Sequence, residues 1–271
     1  VTGPLISLLS DFGLRDPSAA IMRGVVLGIA PDARIVDICH EVRKFSIRDG
    51  ALLLWCALPY LPVGFHVAVV DPGVGTERHP IAIATRRGDV LIGPDNGLLV
   101  AGATKIGGID AVHVIETEAY RLPVVSTSFH GRDIFAPAAA HLALGVGIAE
   151  LGRALDPATL VPSPIREPEI RDGELGSSVV YVDTFGNVKL AGLRADLEEA
   201  LGPVRSGDAL EIAIGDRTIH THWQVTFGDV AVGETLVYED SYRRICLAAS
   251  QANAAQIHAI VEDLEVTIRR A

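Results

Sequence analysis

The sequence is short of cysteine, of basic charge and of long apolar runs, and each shortage closes off a class of protein. Its three cysteines, Cys39, Cys56 and Cys246, are widely spaced. They offer no metal spacing and no disulfide framework, so they read as buried, reduced thiols of a cytoplasmic protein. Lysine and arginine number 23 against 34 acidic residues, for a formal charge of -11. That balance lacks the basic footprint of a nucleic-acid binder and makes a cationic or zwitterionic ligand the easier guest. The longest apolar stretch, ALLLWCALPYLPVGF (51–65), is too short and too broken by proline to span a bilayer. The opening VTGPLISLLSDFG has no basic segment and meets a charge early, so it does not read as a signal peptide. No internal repeat or low-complexity tract is visible. No group of His, Cys, Asp and Glu has the spacing of a metal site, so neither a metal nor another cofactor is expected.

What is present is a chain of 271 residues, nearly half of them apolar, enough for one large domain or two modest ones with real cores. The first part alternates apolar runs with helical patterns. PLISLLS, RIVDI and HVAVV read as strands, separated by helices over PSAAIMRGVVLGIA and IRDGALLLWCALPYL. Asp16 and Pro17 supply a helix start, with an N-cap acceptor followed by proline at the first helical position. This is the pattern of a parallel sheet wrapped by helices, with ligands expected beyond the carboxyl ends of the strands. PIAIATRRGDVLIG then reads as a hairpin, and GRDIFAPAAAHLALGVG as a helix that Pro137 must enter in its first turns or kink. Four prolines in DPATLVPSPIREPEI mark a linker. The expected fold is therefore an N-terminal parallel-sheet α/β domain (1–160), a linker (161–173) and a smaller all-β, barrel-like C-terminal domain (174–271).

Four stretches can carry chemistry. In SDFG, Asp11 follows the first strand, either capping a turn or gripping two vicinal hydroxyls of a ribose. The kinase meaning of DFG fails, because no glycine-rich loop or HRD segment accompanies it. In DPGVGTER, Asp71 ends a buried strand and Arg78 follows seven residues later. The two form a structural ion pair or a functional one. In STSFHGRDIFAP, His130 precedes a helix N-terminus, which disfavours the imidazolium form; it either caps the helix or serves as a base. In YVDTFGNV, Asp183, Phe185 and Asn187 make a β-turn, or a loop in which an aromatic stacks on a base and an amide reads its edge.

Together these segments point further. SDFG, IVDICHEV, VAVVDPGVGTER, GPDNGLL, SFHGRDIFAPAAAHLA, YVDTFGNV and ASQANAA occur in that order over about residues 5–265. The chain thereby resembles the S-adenosylmethionine hydroxide adenosyltransferases, or SAM hydrolases, relatives of the bacterial fluorinase and chlorinase. The resemblance implies hydrolysis of S-adenosyl-L-methionine to adenosine and L-methionine, by attack of an activated water or hydroxide on the ribose 5′ carbon. It implies Asp71, Arg78 and His130 as the catalytic set and Asp11 as the holder of the ribose. Asp183 and Ser241 would hold the methionine end and Asn187 would read the adenine, between Phe185 and Phe227. Phe12, Tyr242 and Gln251 complete the substrate-binding set. It also implies a homotrimer, with each site between the N-terminal domain of one subunit and the C-terminal domain of the next.

The chain departs from the family pattern in places. Tyr242 and Arg243 stand where a small residue and a glycine are usual, VRKFS replaces a proline-rich polar segment, and LRDPSAA lacks an aromatic. Two rival functions remain. A halide adenosyltransferase would carry other residues in SFHGRD, typically tyrosine and serine for His130 and Gly131 in the fluorinase, and a longer loop in the first domain. A non-catalytic sensor of adenosyl ligands would have no use for Asp71, Arg78 and His130 together.

Overall fold

The computed structural model describes residues 3–271, which divide into two compact units, one ending at Pro164 and the other spanning Ile165–Ala271. The first unit is built on seven strands: β1 (Leu5–Ser10), β2 (Arg34–Cys39), β3 (Phe65–Val69), β4 (Pro80–Thr85), β5 (Val90–Pro94), β6 (Ile109–Val114) and β7 (Ala154–Leu155). They lie in the order β2-β1-β3-β5-β4-β6-β7. The run β2-β1-β3-β5 is parallel, as expected. The β4-β5 hairpin then reverses direction, and β4, β6 and β7 continue antiparallel, so the sheet is mixed.

Helices cover the parallel half, which is why β1 is apolar and buried at nearly every position. These are α1 (Ser18–Ile29), α2 (Ile47–Ala57), α3 (Val100–Lys105) and α4 (Ala136–Ala143). Helix α1 begins one residue later than expected. Pro17 stands just outside it, while Asp16 still accepts the Ser18 N–H at 3.0 Å. Met22 and Val26 of α1 and Phe135 to Ala140 around α4 pack on Ile6, Leu8 and Val67 of the sheet. Because Ser10 pairs in register with Val69, β1 and β3 end side by side, and Asp11 and Asp71 emerge at the same edge.

Two polar relays pin this edge and its base, the first buried and the second reaching the surface at Asp37. Ser7 and His66 face each other across β1 and β3, with Ser7 Oγ 2.7 Å from His66 Nδ1. His66 Nε2 lies 3.0 Å from Asp89 Oδ1, and Arg87 Nε donates to Asp89 Oδ2 at 2.7 Å. Burial alone would raise the pKa of Asp89, but His66 and Arg87 hold its carboxyl well below the usual carboxylate range. A second relay repeats the arrangement: Ser10 Oγ to His40 Nδ1 at 2.7 Å, His40 Nε2 to Asp37 at 3.0 Å, and Arg23 on Asp37.

The second unit is an antiparallel, nearly closed barrel. Its strands are β8 (Glu169–Arg171), β9 (Glu174–Val182), β10 (Val188–Leu193), β11 (Ala209–Ile214), β12 (Arg217–His222), β13 (Thr235–Glu239), β14 (Arg244–Ala249) and β15 (Glu265–Arg270). Their order is β12-β11-β15-β9-β10-β14-β13, with β8 on β9. Trp223, just past β12, bridges Val237 of β13, so the two edges of the sheet meet. Alternating strand residues such as Leu210, Ile212 and Ile214 fill the interior with Trp223 and Leu247, as their period of two requires. Helices α5 (Arg194–Leu201) and α6 (Ala254–Ile257) complete the unit. Among the described residues no helix is long and apolar enough to cross a membrane.

Asp89 is fully buried and carries the Gly64 N–H as well as His66, Thr85 and Arg87. Asp89→Ala should therefore lower the unfolding free energy by about 3–5 kcal/mol, the usual result of stripping one partner from a buried ion pair. A shift of the denaturant midpoint corresponding to less than about 1 kcal/mol would refute that weight.

Candidate active site

The loop after β3 folds back on itself through two tight turns. Val74 N–H donates to Asp71 O and Thr76 N–H to Gly73 O, each at 3.2 Å. The result returns Arg78 to the carboxylate seven residues before it. Arg78 Nε lies 3.1 and 3.0 Å from the two Asp71 oxygens, and Nη2 bonds Oδ2 as well. The same Nη2 donates to His130 Nδ1 at 2.9 Å. Gly75 permits this approach. It has φ +77°, and a Cβ there would fall 2.5 Å from the Thr127 carbonyl oxygen.

His130 is held from the other side by a helix with an unusual start. Residues Gly131–Phe135 form a π-helical turn ahead of α4. Pro137 has no N–H for the carbonyl of Asp133, and the Leu122 N–H bonds that carbonyl instead, at 2.9 Å. The fully buried Asp133 carboxylate accepts from Ser126 N–H (2.8 Å) and Ser126 Oγ (2.7 Å), and Ser126 Oγ in turn accepts the Phe129 N–H. The expected helix is thus present, but it is wound more widely where it meets the histidine.

A cavity of about 390 Å³ opens beside this set, lined among others by Asp11, Phe12, Lys44, Phe45, Asp71, Phe129 and His130. Asp11 Oδ2 accepts the Phe45 N–H at 2.9 Å, and Lys44 Nζ bonds the Asp11 carbonyl. Phe12 meets Phe129 edge-on, with ring centres 5.4 Å apart. Lys44 and Phe45 escaped the sequence reading. Phe45 carries a signal of sorts in its exposure of 71%, unusual for a phenylalanine, together with a strained φ of +65°.

Arg78 can only donate, so Nδ1 of His130 must be an acceptor. In the neutral ring the proton therefore sits on Nε2. Burial lowers the pKa of His130, the Arg78 charge lowers it further, and Asp71 and Asp133 oppose them without reversing the shift.

The second unit carries a separate pocket of about 810 Å³. It collects all the remaining expected residues: Asp183, Phe185, Asn187, Phe227, Ser241, Tyr242 and Gln251. Asp183 organises its own turn, with Oδ1 accepting from Phe185 N–H and Asn187 N–H and Oδ2 from Asn187 Nδ2, all at 2.9 Å. The Asn187 amide thus keeps its oxygen as an acceptor for a ligand donor. Gly186 is obligatory in this turn, since a Cβ would fall 2.1 Å from Asn253. Phe227 packs on Tyr238 at 5.0 Å, while Phe185 is 78% exposed. Lys189, Tyr238 and Asp240 also line this pocket and were not foreseen. Among the described residues no group of three or more His, Cys, Asp and Glu could hold a metal ion.

Comparison with known proteins follows the same division. Residues 6–152 match the SAM hydroxide adenosyltransferase N-terminal domain, and residues 177–267 match the corresponding C-terminal domain. An (R)-S-adenosyl-L-methionine hydrolase of Salinispora tropica is 43% identical over 94% of this chain and 93% of its own. One from Salinispora arenicola is 41% identical over 97% and 98%. A fluorinase of Actinopolyspora mzabensis is 28% identical over 98% and 97%. The crystal structure of an uncharacterized conserved protein from Thermotoga maritima superposes with a TM-score of 0.91 at 32% identity, covering 98% of this chain and 100% of that one.

The geometry fixes a measurable property of His130. Its imidazole should titrate below 6.5, the ordinary histidine value, when followed by NMR. In Arg78→Gln one lowering cause disappears while Asp71 remains, so the midpoint should rise. A midpoint unmoved by that substitution would show that the Arg78 contact does not govern the ring.

Proposed function

The chain belongs to the SAM hydroxide adenosyltransferase family, and from that premise we infer that it is an (R)-S-adenosyl-L-methionine hydrolase yielding adenosine and L-methionine. The observation that carries the reading on the structural side is the Asp71–Arg78–His130 chain bordering an open cavity. The names of the relatives specify the R configuration at sulfur, a distinction the sequence motifs do not make.

The chemistry is a displacement at the ribose 5′ carbon. The oxygen of water attacks that carbon, the carbon–sulfur bond breaks, and its electron pair stays on sulfur, which leaves as the neutral thioether of methionine. Water is a weak nucleophile, with a pKa near 15.7 in bulk, so the protein must draw off its proton and hold the oxygen in line. In our reading Asp11 grips the ribose hydroxyls. His130 already carries its proton on Nε2, so it acts as a donor that orients the attacking oxygen. Arg78 stabilises the developing hydroxide. Asp71, bonded to Arg78, is the group left to take the proton. Asn187 accepts from the adenine amino group between Phe185 and Phe227, and Asp183 and Ser241 serve the methionine end, with Tyr242 and Gln251 completing the wall. No cofactor takes part.

The direct test is to incubate the protein with R and S epimers of S-adenosyl-L-methionine, with and without chloride or fluoride, and to identify the products. Adenosine and methionine in equal amounts are expected. A 5′-halo-5′-deoxyadenosine would assign the chain to halide transfer, and binding without turnover would make it a sensor. His130→Ala and Arg78→Ala should each slow turnover by about two to four orders of magnitude while weakening substrate binding much less. Wild-type turnover in either variant would remove that residue from the catalytic set.

We further propose that the protein acts as a homotrimer in the cytoplasm, a reducing compartment that suits three cysteines outside any disulfide. Each active site would pair the first unit of one subunit with the second unit of its neighbour, through one interface repeated around a ring. An Arg78→Ala chain co-assembled with an Asp183→Ala chain should then regain activity, since some interfaces unite two intact halves. Mixed trimers no more active than their parents would place each site within a single chain.

A further inference from the structure

The pocket of the second unit holds a buried cation to which the roles above give no work. Lys189, on β10, lines that pocket. Its Nζ donates to Asp240 Oδ2 at 2.6 Å and stands 5.2 Å from the centre of the Tyr242 ring. The side chains of Lys189 and Asp240 are only 10% and 2% exposed. Burial by itself would lower the ammonium's pKa, but Asp240 outweighs it, assisted by Asp183. The net shift is upward, so the lysine is charged at neutral pH. Among the described residues no other lysine, arginine or histidine lines this pocket.

An amino-acid moiety brings one ammonium and one carboxylate into whatever pocket receives it, and a carboxylate taken out of water needs a charged donor. The acidic groups here would repel it. Asp240 is committed on both oxygens, with Oδ1 accepting from Tyr242 N–H at 2.8 Å and Arg244 N–H at 2.9 Å and Oδ2 accepting from Lys189. Lys189 is differently placed. An ammonium has three donor hydrogens, and the Asp240 bond uses one. Its charge is held at a fixed point by the carboxylate beneath it and the aromatic ring beside it.

We propose that Lys189 determines substrate specificity by binding the carboxylate of the methionine moiety. The proposal rests on the reading that the second unit's pocket receives that end of S-adenosyl-L-methionine. A purely structural ion pair is the competing role, and the two differ in what they do to a substrate without a carboxylate.

The experiment compares kcat/KM for S-adenosyl-L-methionine and for its decarboxylated analogue, in wild type, Lys189→Met, Lys189→Arg and the double variant Lys189→Gln/Asp240→Asn. The double variant is included because Lys189→Met alone leaves Asp240 buried without its cation and risks the fold. Wild type should prefer the carboxylate-bearing substrate by about 10- to 100-fold, the range for one charge-assisted hydrogen bond. That preference should fall to within about threefold of unity in Lys189→Met and in the double variant, through a higher KM for S-adenosyl-L-methionine alone, and should survive in Lys189→Arg. Loss of activity toward both substrates in equal proportion, or a preference that persists in the double variant, overturns the proposal while leaving the hydrolase reading standing. A wild type that turns over neither substrate overturns the hydrolase reading, and the proposal falls with it.

Discussion

Arg78 is the residue on which the catalytic edge of the first unit depends, because a guanidinium can only donate and cannot lose its charge. By meeting Asp71 and Nδ1 of His130 at once, it dictates the state of both. The carboxylate accepts its N–H groups, and the imidazole must leave Nδ1 bare. A lysine at this point would supply a mobile point charge without the fixed fork that spans two partners. The surrounding oddities serve this one contact. The glycine at 75 lets the loop reach the Thr127 backbone, and the π-helical turn under Pro137 sets the residue before it. The buried Asp133 gathers the 126–129 segment from which His130 follows.

The sheet supplies the other half of the arrangement. Parallel strands carry their carboxyl ends to one edge, and the β1-β3 register sets Asp11 and Asp71 there side by side. Rigidity comes from beneath. The Ser10–His40–Asp37 relay lies directly under Asp11, and Ser10 Oγ also accepts the Phe12 N–H at 3.3 Å. The Ser7–His66–Asp89 relay lies deeper and is closed to solvent, so its serine and histidine stabilise the strand pairing and have no access to a substrate. The resemblance of that relay to a hydrolytic triad ends with the residue types.

Most of this was legible where chemistry is local in sequence. Apolar runs that stop on an aspartate marked the strand ends, Pro137 announced a disturbed helix start, and short alternating runs marked the barrel. Features made by distant partners were not legible. His66 and Asp89 are 23 residues apart, and Lys189 and Asp240 are 51 apart. A lysine in an apolar strand with its acid on another turn gives no periodic signal. In the sequence Lys44 and Phe45 stand out only as part of VRKFS, a departure from the family pattern, and it is their bonds to Asp11 that tie them to the cavity. The sequence puts Asp183 and Asn187 on one β-turn or in one base-recognition loop, and the structure makes the aspartate the organiser of the asparagine.

The departures at Tyr242 and Arg243 belong to one local arrangement. Arg243 has φ +70°, the left-handed conformation that glycine adopts without strain and that costs other residues about 1–2 kcal/mol. The turn is kept all the same by Asp240, whose carboxylate clamps the N–H groups of residues 242 and 244 while its carbonyl takes the N–H of 243. The same carboxylate fixes Lys189, and the Tyr242 ring, placed by that turn, lies beside the ammonium. A side chain tolerated at 243, an aromatic at 242 and a cation at 189 are thus all tied to Asp240. The net charge of -11 said nothing of this, because a ligand senses the few groups that face it. In this pocket those groups include, among the described residues, a single cation, held in place by an acid.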